Sequence, residues 1–218
     1  MTFRRLLAPA LLASTLGGTG AFSVPTPDPE VVAGLSFLNP DYVEPIHVQL
    51  KPLADLLARG EGDYNSVNRG WAGDTPGGIK GLTGSSFAAY TVKQVVDMQR
   101  GWLHAVGRYQ LIPRTMRFAV NSSSVSYSDK FTPEVQDRLM AALVLYKRPI
   151  IFAYLQGSHD DIGAALRALA REWASVEYSH GRGYYDNVGG NRASISRAEA
   201  AKVLQDIKAS WQEDGALP

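Results

Sequence analysis

The chain has 218 residues, 45% of them hydrophobic and 20% charged, with a formal net charge of +1. That balance suits one globular domain with extensions and excludes a basic nucleic-acid-binding face, while the absence of cysteine excludes a disulfide framework and a thiolate metal site. The four histidines, His47, His104, His159 and His180, have no metal-binding spacing, and no glycine-rich phosphate loop follows a strand pattern, so no cofactor or metal is expected.

The first stretch, MTFRRLLAPALLASTLGGTG, places two arginines before an apolar run that ends in small residues. This is the three-part pattern of a secretory leader, assigned to residues 1–21. Pro9, Gly17, Gly18 and Gly20 interrupt the run, which disfavours a spanning helix, so contact with a membrane is expected only if the leader stays uncleaved. Residues 22–45 carry five prolines and read as an extended arm. The folded domain is expected over 46–213.

Ile46, Leu50, Leu53, Leu56 and Leu57 recur at helical spacing and predict a helix over 47–59, with Pro52 as a candidate first turn and Gly60 as its stop. Residues 62–90 are rich in Gly, Asn, Ser and Thr and predict loops with room for a small hairpin. Thr91-x-x-Gln94 has the form of a capping box for a helix to about residue 100, and Pro113 suits the first turn of another. After a serine-rich loop over 121–131, Thr132-Pro133-Glu134 starts a strong helix whose apolar face runs through Val135, Leu139, Ala142, Leu143 and Tyr146. Pro149 breaks it, and Ile150–Leu155 make a short buried helix. Ser158-x-x-Asp161 is expected to start a helix to about Val176, and Ser196-x-x-Glu199 one to about Trp211. The predicted class is α+β, mainly helical, with a small or absent sheet.

One stretch stands out chemically: ARGEGDYNSVNRG, from Ala58 to Gly70. A glutamate between two glycines is ordinarily a solvated loop carboxylate. Glu61, however, follows a predicted helix whose C-terminal carbonyls carry partial negative charge, which disfavours the carboxylate form. Burial against Tyr109 or Trp71 would act in the same direction. Asp63, Asp74 and Asp97 are the candidate second carboxylates, and Asp63 and Asp74 equally suit turns.

Four stretches taken in order, LLARGEGDYNSV, AVGRYQLIPRTM, FTPEVQDRLMAALVL and REWASVEYSHGRGYYDN, resemble the phage-lambda-type endolysins, lysozyme-superfamily lytic transglycosylases that cut peptidoglycan. The resemblance covers roughly residues 50–211, and its most specific part is the G-R-Y-Q-L-x-P-x-T stretch. Two features depart from the family: the loop over 66–104 is arranged differently, and the leader and proline-rich arm have no counterpart.

The resemblance implies a lysozyme-like domain, peptidoglycan glycan strands as substrate and Glu61 as acid and base. A lytic transglycosylase needs no second carboxylate, because the muramic acid C6 hydroxyl attacks its own C1. The near alternative is a muramidase using Asp74 or Asp63; a different class is a non-catalytic wall-binding or virion structural protein with the same fold. In lysozyme-like folds the Tyr109-Gln110 segment lines the cleft, and a Gln amide both donates and accepts, as an N-acetyl group requires. Tyr64, Asn65 and Asn68 are candidate sugar contacts, though an Asn in a turn needs no ligand. Arg108 meets either a peptide-stem carboxylate or a nearby Asp. Tyr178, Tyr184 and Tyr185 offer faces for sugar stacking or for packing. Leu111, Ile112, Trp173 and Trp211 are expected in the core. The leader implies export to the periplasm or cell envelope, by a bacterial enzyme or a phage lysin using the export route, and a monomer is expected.

Overall fold

Prolines and short polar caps decide where the helices of this chain begin. In the computed structural model the described residues are 43–213; the leader 1–21 and the arm up to residue 42 lie outside them. Helix α1 is Val43–Gln49 and α2 is Lys51–Glu61. The single helix expected over 47–59 is therefore two. Pro52 has no N–H to continue a helix but suits a first turn, so a new helix starts beneath it. Fully buried Leu50 joins the two, donating to Ile46 O and accepting from Ala54 N, both at 2.9 Å. The boundary expected at residue 46 falls inside α1, so the last three residues of the arm belong to a helix.

Two short elements occupy the stretch expected as loops: α3, Gly78–Thr83, and a 3₁₀ turn, Phe87–Ala89. Helix α4, Val92–Gly101, carries both halves of the Thr91/Gln94 capping box. Pro113 opens α5, Pro113–Asn121, and Thr132 caps α6, Pro133–Ala142, by accepting from Val135 N. The hydrogen-bond ladder then widens into a π turn over Leu143–Lys147, before α7, Pro149–Leu155.

Asp161, not Ser158, caps α8, Ile162–Glu172: its carboxylate accepts from Ala164 N at 3.0 Å, while the Ser158 hydroxyl donates to Ala153 O. Helix α8 stops short of Val176 because Trp173 is extended, with φ −117° and ψ 118°. Ser196 and Glu199 exchange the expected bonds ahead of α9, Arg197–Glu213.

Among the described residues the sheet content is two small antiparallel pairs. Strand β1, Val67–Asn68, pairs with β2, Ala105–Val106, in the register Val67↔Val106 and Asn68↔Ala105. Strand β3, Glu177–Ser179, pairs with β4, Arg182–Gly183. The architecture is thus mainly helical.

Its core runs through Leu53, Leu57, Val92, Met116, Leu139, Met140 and Leu143, each fully buried. Burying one such side chain contributes about 1.5–3 kcal/mol. Trp173 and Trp211 are core residues as expected, the latter edge-on to Phe152 at 6.0 Å between ring centres. Leu111 is buried too, but Ile112 is 41% exposed, because it stands at the N-cap of α5 and turns outward. The end of α2 packs directly on the segment around Ser175 and Ser194.

Candidate functional site

Glu61 is the last residue of α2, and the glycines around it have separate reasons. A Cβ on Gly60 would lie 2.3 Å from Ser175 Cβ and 2.8 Å from Ser194 Oγ, so glycine lets the helix end pack directly on that segment. Gly62 leaves the helix at φ +143°, a conformation that side chains rarely adopt. Between them, the half-buried Glu61 side chain accepts one hydrogen bond, from Ser175 N at 3.0 Å. Among the described residues no lysine or arginine forms an ion pair with it.

Desolvation raises the Glu61 pKa above the ordinary glutamate value, and the hydrogen bond from Ser175 opposes it without cancelling it. The result is a carboxyl held toward its protonated form with part of its surface open. The donor is itself fixed: Ser175 O accepts from Ser194 N at 2.8 Å and Ile195 N at 2.9 Å. Sequence reasoning passed over Ser175, which acts through a peptide N–H that any residue would supply.

The neighbouring carboxylates are engaged in their own loops. Asp63 accepts from Asn65 N at 2.7 Å and from the Ser66 hydroxyl. Asp74 accepts from the amides of Arg69 and Trp71 and from the Thr75 hydroxyl at 2.7 Å. Desolvation, the largest single influence, would raise the Asp74 pKa, but the Thr75, Arg69 and Trp71 donors and the Arg69 charge together outweigh it, so the pKa lies below the usual carboxylate range. Asp97 lies on α4 between Lys93 and Arg100, both ion-paired to it.

The chain leaving Glu61 reaches β1 within six residues. At the end of β1, Asn68 Nδ2 donates to Gln110 Oε1 at 3.1 Å, so these two predicted residues meet. Gln110 Nε2 donates to Gly107 O at 3.0 Å. Residues 107–110 form the turn closed by the Val106↔Leu111 bridge, and the Gly107 amide donates to Ser66 O at 2.8 Å, beside the chain leaving α2.

Other predicted contacts have different surroundings. The Asn65 side chain accepts from Phe87 N at 2.9 Å and brackets the 3₁₀ turn. Tyr109, expected along a cleft, is 2% exposed, because its ring joins the core and its hydroxyl donates to Asp137. Tyr64 donates to the same carboxylate at 3.0 Å. Arg108 takes the internal option, pairing with Asp55 at 2.6 Å and donating to Tyr64 Oη at 2.6 Å. Tyr178, Tyr184 and Tyr185 stack edge-to-face at 5.2 and 4.9 Å, with the Arg171 guanidinium over two of the rings; Tyr184 remains 46% exposed.

The loops around Trp71 and Gly190 meet. Ala72 N donates to Gly189 O at 2.8 Å, and the Trp71 indole lies against Gly190, where a Cβ would approach its Nε1 to 2.5 Å. Trp71 is 60% exposed. Among the described residues no group of His, Asp or Glu is placed to hold a metal ion, and no helix is long and apolar enough to cross a membrane. Comparisons with known protein families, with curated proteins and with solved structures found no match to this chain.

Proposed function

We propose that this chain is a lysozyme-like lytic transglycosylase that cleaves the β-1,4 bond between N-acetylmuramic acid and N-acetylglucosamine in peptidoglycan. The observation that carries the reading is Glu61: an accessible carboxyl at a helix C-terminus, held toward protonation by burial, with one peptide donor and no cation. Glycoside cleavage needs an acid that is still protonated near neutral pH, and this environment favours one. The ordered resemblance over residues 50–211 supplies the substrate class.

In the reaction, Glu61 gives its proton to the glycosidic oxygen as the C1–O bond breaks. The resulting carboxylate then takes the proton of the muramic acid C6 hydroxyl, whose oxygen bonds to C1. No water is consumed, and the acid is regenerated. The Asn68 and Gln110 amides, paired at the end of β1, are the candidate contacts for an N-acetyl group. Asp63 and Asp74, already engaged by their own loops, favour the single-carboxylate route over hydrolysis.

Mass spectrometry of digested peptidoglycan tests this. The expected products end in 1,6-anhydromuramic acid and take up no label from ¹⁸O water. Labelled reducing ends would mean a muramidase with Asp74 or Asp63 as second carboxylate; intact glycan would mean a non-catalytic wall-binding or virion protein. Export to the envelope, from the leader over 1–21, belongs to the same proposal.

A further inference from the structure

Gln136 and Asp137 are consecutive on α6 and more than seventy residues beyond Tyr64, yet both reach the two segments that flank the Glu61 site. Gln136 is 1% exposed. Its Oε1 accepts from Arg108 N at 2.9 Å, and its Nε2 donates to Tyr64 O at 3.0 Å, so one amide ties the 107–110 turn to the chain leaving Glu61. The fit is tight: a Cβ on Gly107 would stand 2.3 Å from that Oε1. Asp137 holds the same two segments by their side chains, accepting from Tyr64 and Tyr109. Arg108 closes the set, its guanidinium 4.8 Å from the Tyr64 ring centre and bonded to Tyr64 Oη and Asp55.

The turn so held is strained. Gln110 has φ +47°, one of three non-glycine residues at positive φ among those described. Such a conformation is disfavoured for a residue with a side chain and persists only where its surroundings over-determine it. Here the two preceding residues are pinned, Arg108 by Gln136 and Tyr109 by Asp137. What the strain secures is the direction of the Gln110 side chain, which meets Asn68.

We propose that Gln136 and Asp137 are positioning residues: through Arg108, Tyr109 and Tyr64 they hold the turn that presents Gln110, with Asn68, to the N-acetyl group of the glycan. The proposal rests on the peptidoglycan reading for its ligand. It does not need that reading for its geometry.

The experiment has two arms. In the first, side-chain amide resonances of Asn68 and Gln110 are followed by ¹⁵N NMR in D137N and Y109F. Both pairs of signals are expected to shift, whether or not the protein cleaves glycan; unmoved signals overturn the proposal. In the second, turnover of a soluble tetrasaccharide of the peptidoglycan repeat is measured in D137N, Q110A and the double variant. A tenfold fall in kcat is expected for D137N, with KM changed less, because misplacing a positioned group mainly costs turnover. The double variant is expected to match Q110A alone. A D137N penalty that persists in full without Gln110 means a merely structural acid and overturns the proposal, as does a Q110A variant of normal turnover. Y109F keeps the ring and removes one donor, so it carries both arms if D137N does not fold. E61Q separates the two ideas: an active E61Q sinks the functional reading, while the NMR arm still decides the positioning.

Discussion

Two eleven-residue helices of this protein end on a glutamate, and the two ends are built in opposite ways. Helix α8 ends at Glu172, whose side chain is 3% exposed and carries two cations, Lys147 at 2.6 Å and Arg148 at 2.8 Å. Lys147 also donates to the Thr115 hydroxyl and Arg148 to Arg171 O, so the cluster is satisfied on several sides. Helix α2 ends at Glu61, which has a single peptide N–H. The chain therefore contains the means to neutralise an acid at a helix end and applies them at only one of the two. A buried acid with cations is a clasp; one without them is held toward its protonated form.

The strongest way to break this contrast is to remove the acidic proton at each end. E61Q keeps the shape and an acceptor for Ser175 N–H but cannot donate a carboxylic proton. Clearing of a peptidoglycan suspension is expected to fall by about 10²-fold or more, whereas E172Q, if folded, should retain most of its activity. Near-normal clearing by E61Q would remove the assignment.

Stability should show the reverse order. E172Q leaves two half-buried cations without their acid and is expected to lose about 3 kcal/mol in urea unfolding at neutral pH. E61Q is expected to gain about 1 kcal/mol, as commonly follows when a strained functional group is neutralised. The sign follows from the raised Glu61 pKa. A carboxyl raised in the folded state contributes stability below its unfolded pKa and loses it as pH rises through the folded value. The E61Q advantage should therefore vanish in acid, and an advantage that grows as pH falls would contradict the assigned direction.

The same direction sharpens the activity profile. Under the proposed mechanism, glycan cleavage should decline with rising pH through a pKa above that of an ordinary glutamate, because the proposal gives the first step to the protonated form. A decline centred at or below the ordinary glutamate value would mean that another group sets it. The smallest effect is expected from D74N, which weakens the amide and hydroxyl contacts of an exposed loop: about 1 kcal/mol or less in stability, with little change in cleavage. A loss as large as that of E61Q would instead mark Asp74 as the second carboxylate.

Local signals in the sequence were the readable ones. Thr91, Thr132 and Ser196 cap their helices because the bonds involved span three residues and depend on little else. Ser158 and Asp161 compete as caps by the same rule, and only packing decides between them. The place of Glu61 at a helix end was legible from the apolar spacing before it. Its donor was not, since Ser175 contributes backbone and lies 114 residues away. The expectation that Tyr109 lines a cleft comes from the resembled family; the distant Asp137 that draws its hydroxyl inward has no signature near it. The split at Leu50 went unread because the apolar spacing runs through it unbroken.

The π turn over Leu143–Lys147 has a consequence for how this chain tolerates change in length. A π turn is in effect a single extra residue absorbed into a helix. Consecutive residues of an α-helix diverge by about 100°, so neighbours such as Lys147 and Arg148 would not ordinarily face one partner. The widened turn and the break at Arg148, with φ −126° and ψ 56°, bring both onto Glu172. Deleting one residue here would heal the hydrogen-bond ladder yet rotate everything before it against α7, trading a local irregularity for lost register across the helical core. The segment is thus one where a deletion would be costly, and its fully buried Leu143, Val144 and Leu145 leave little room for substitution either.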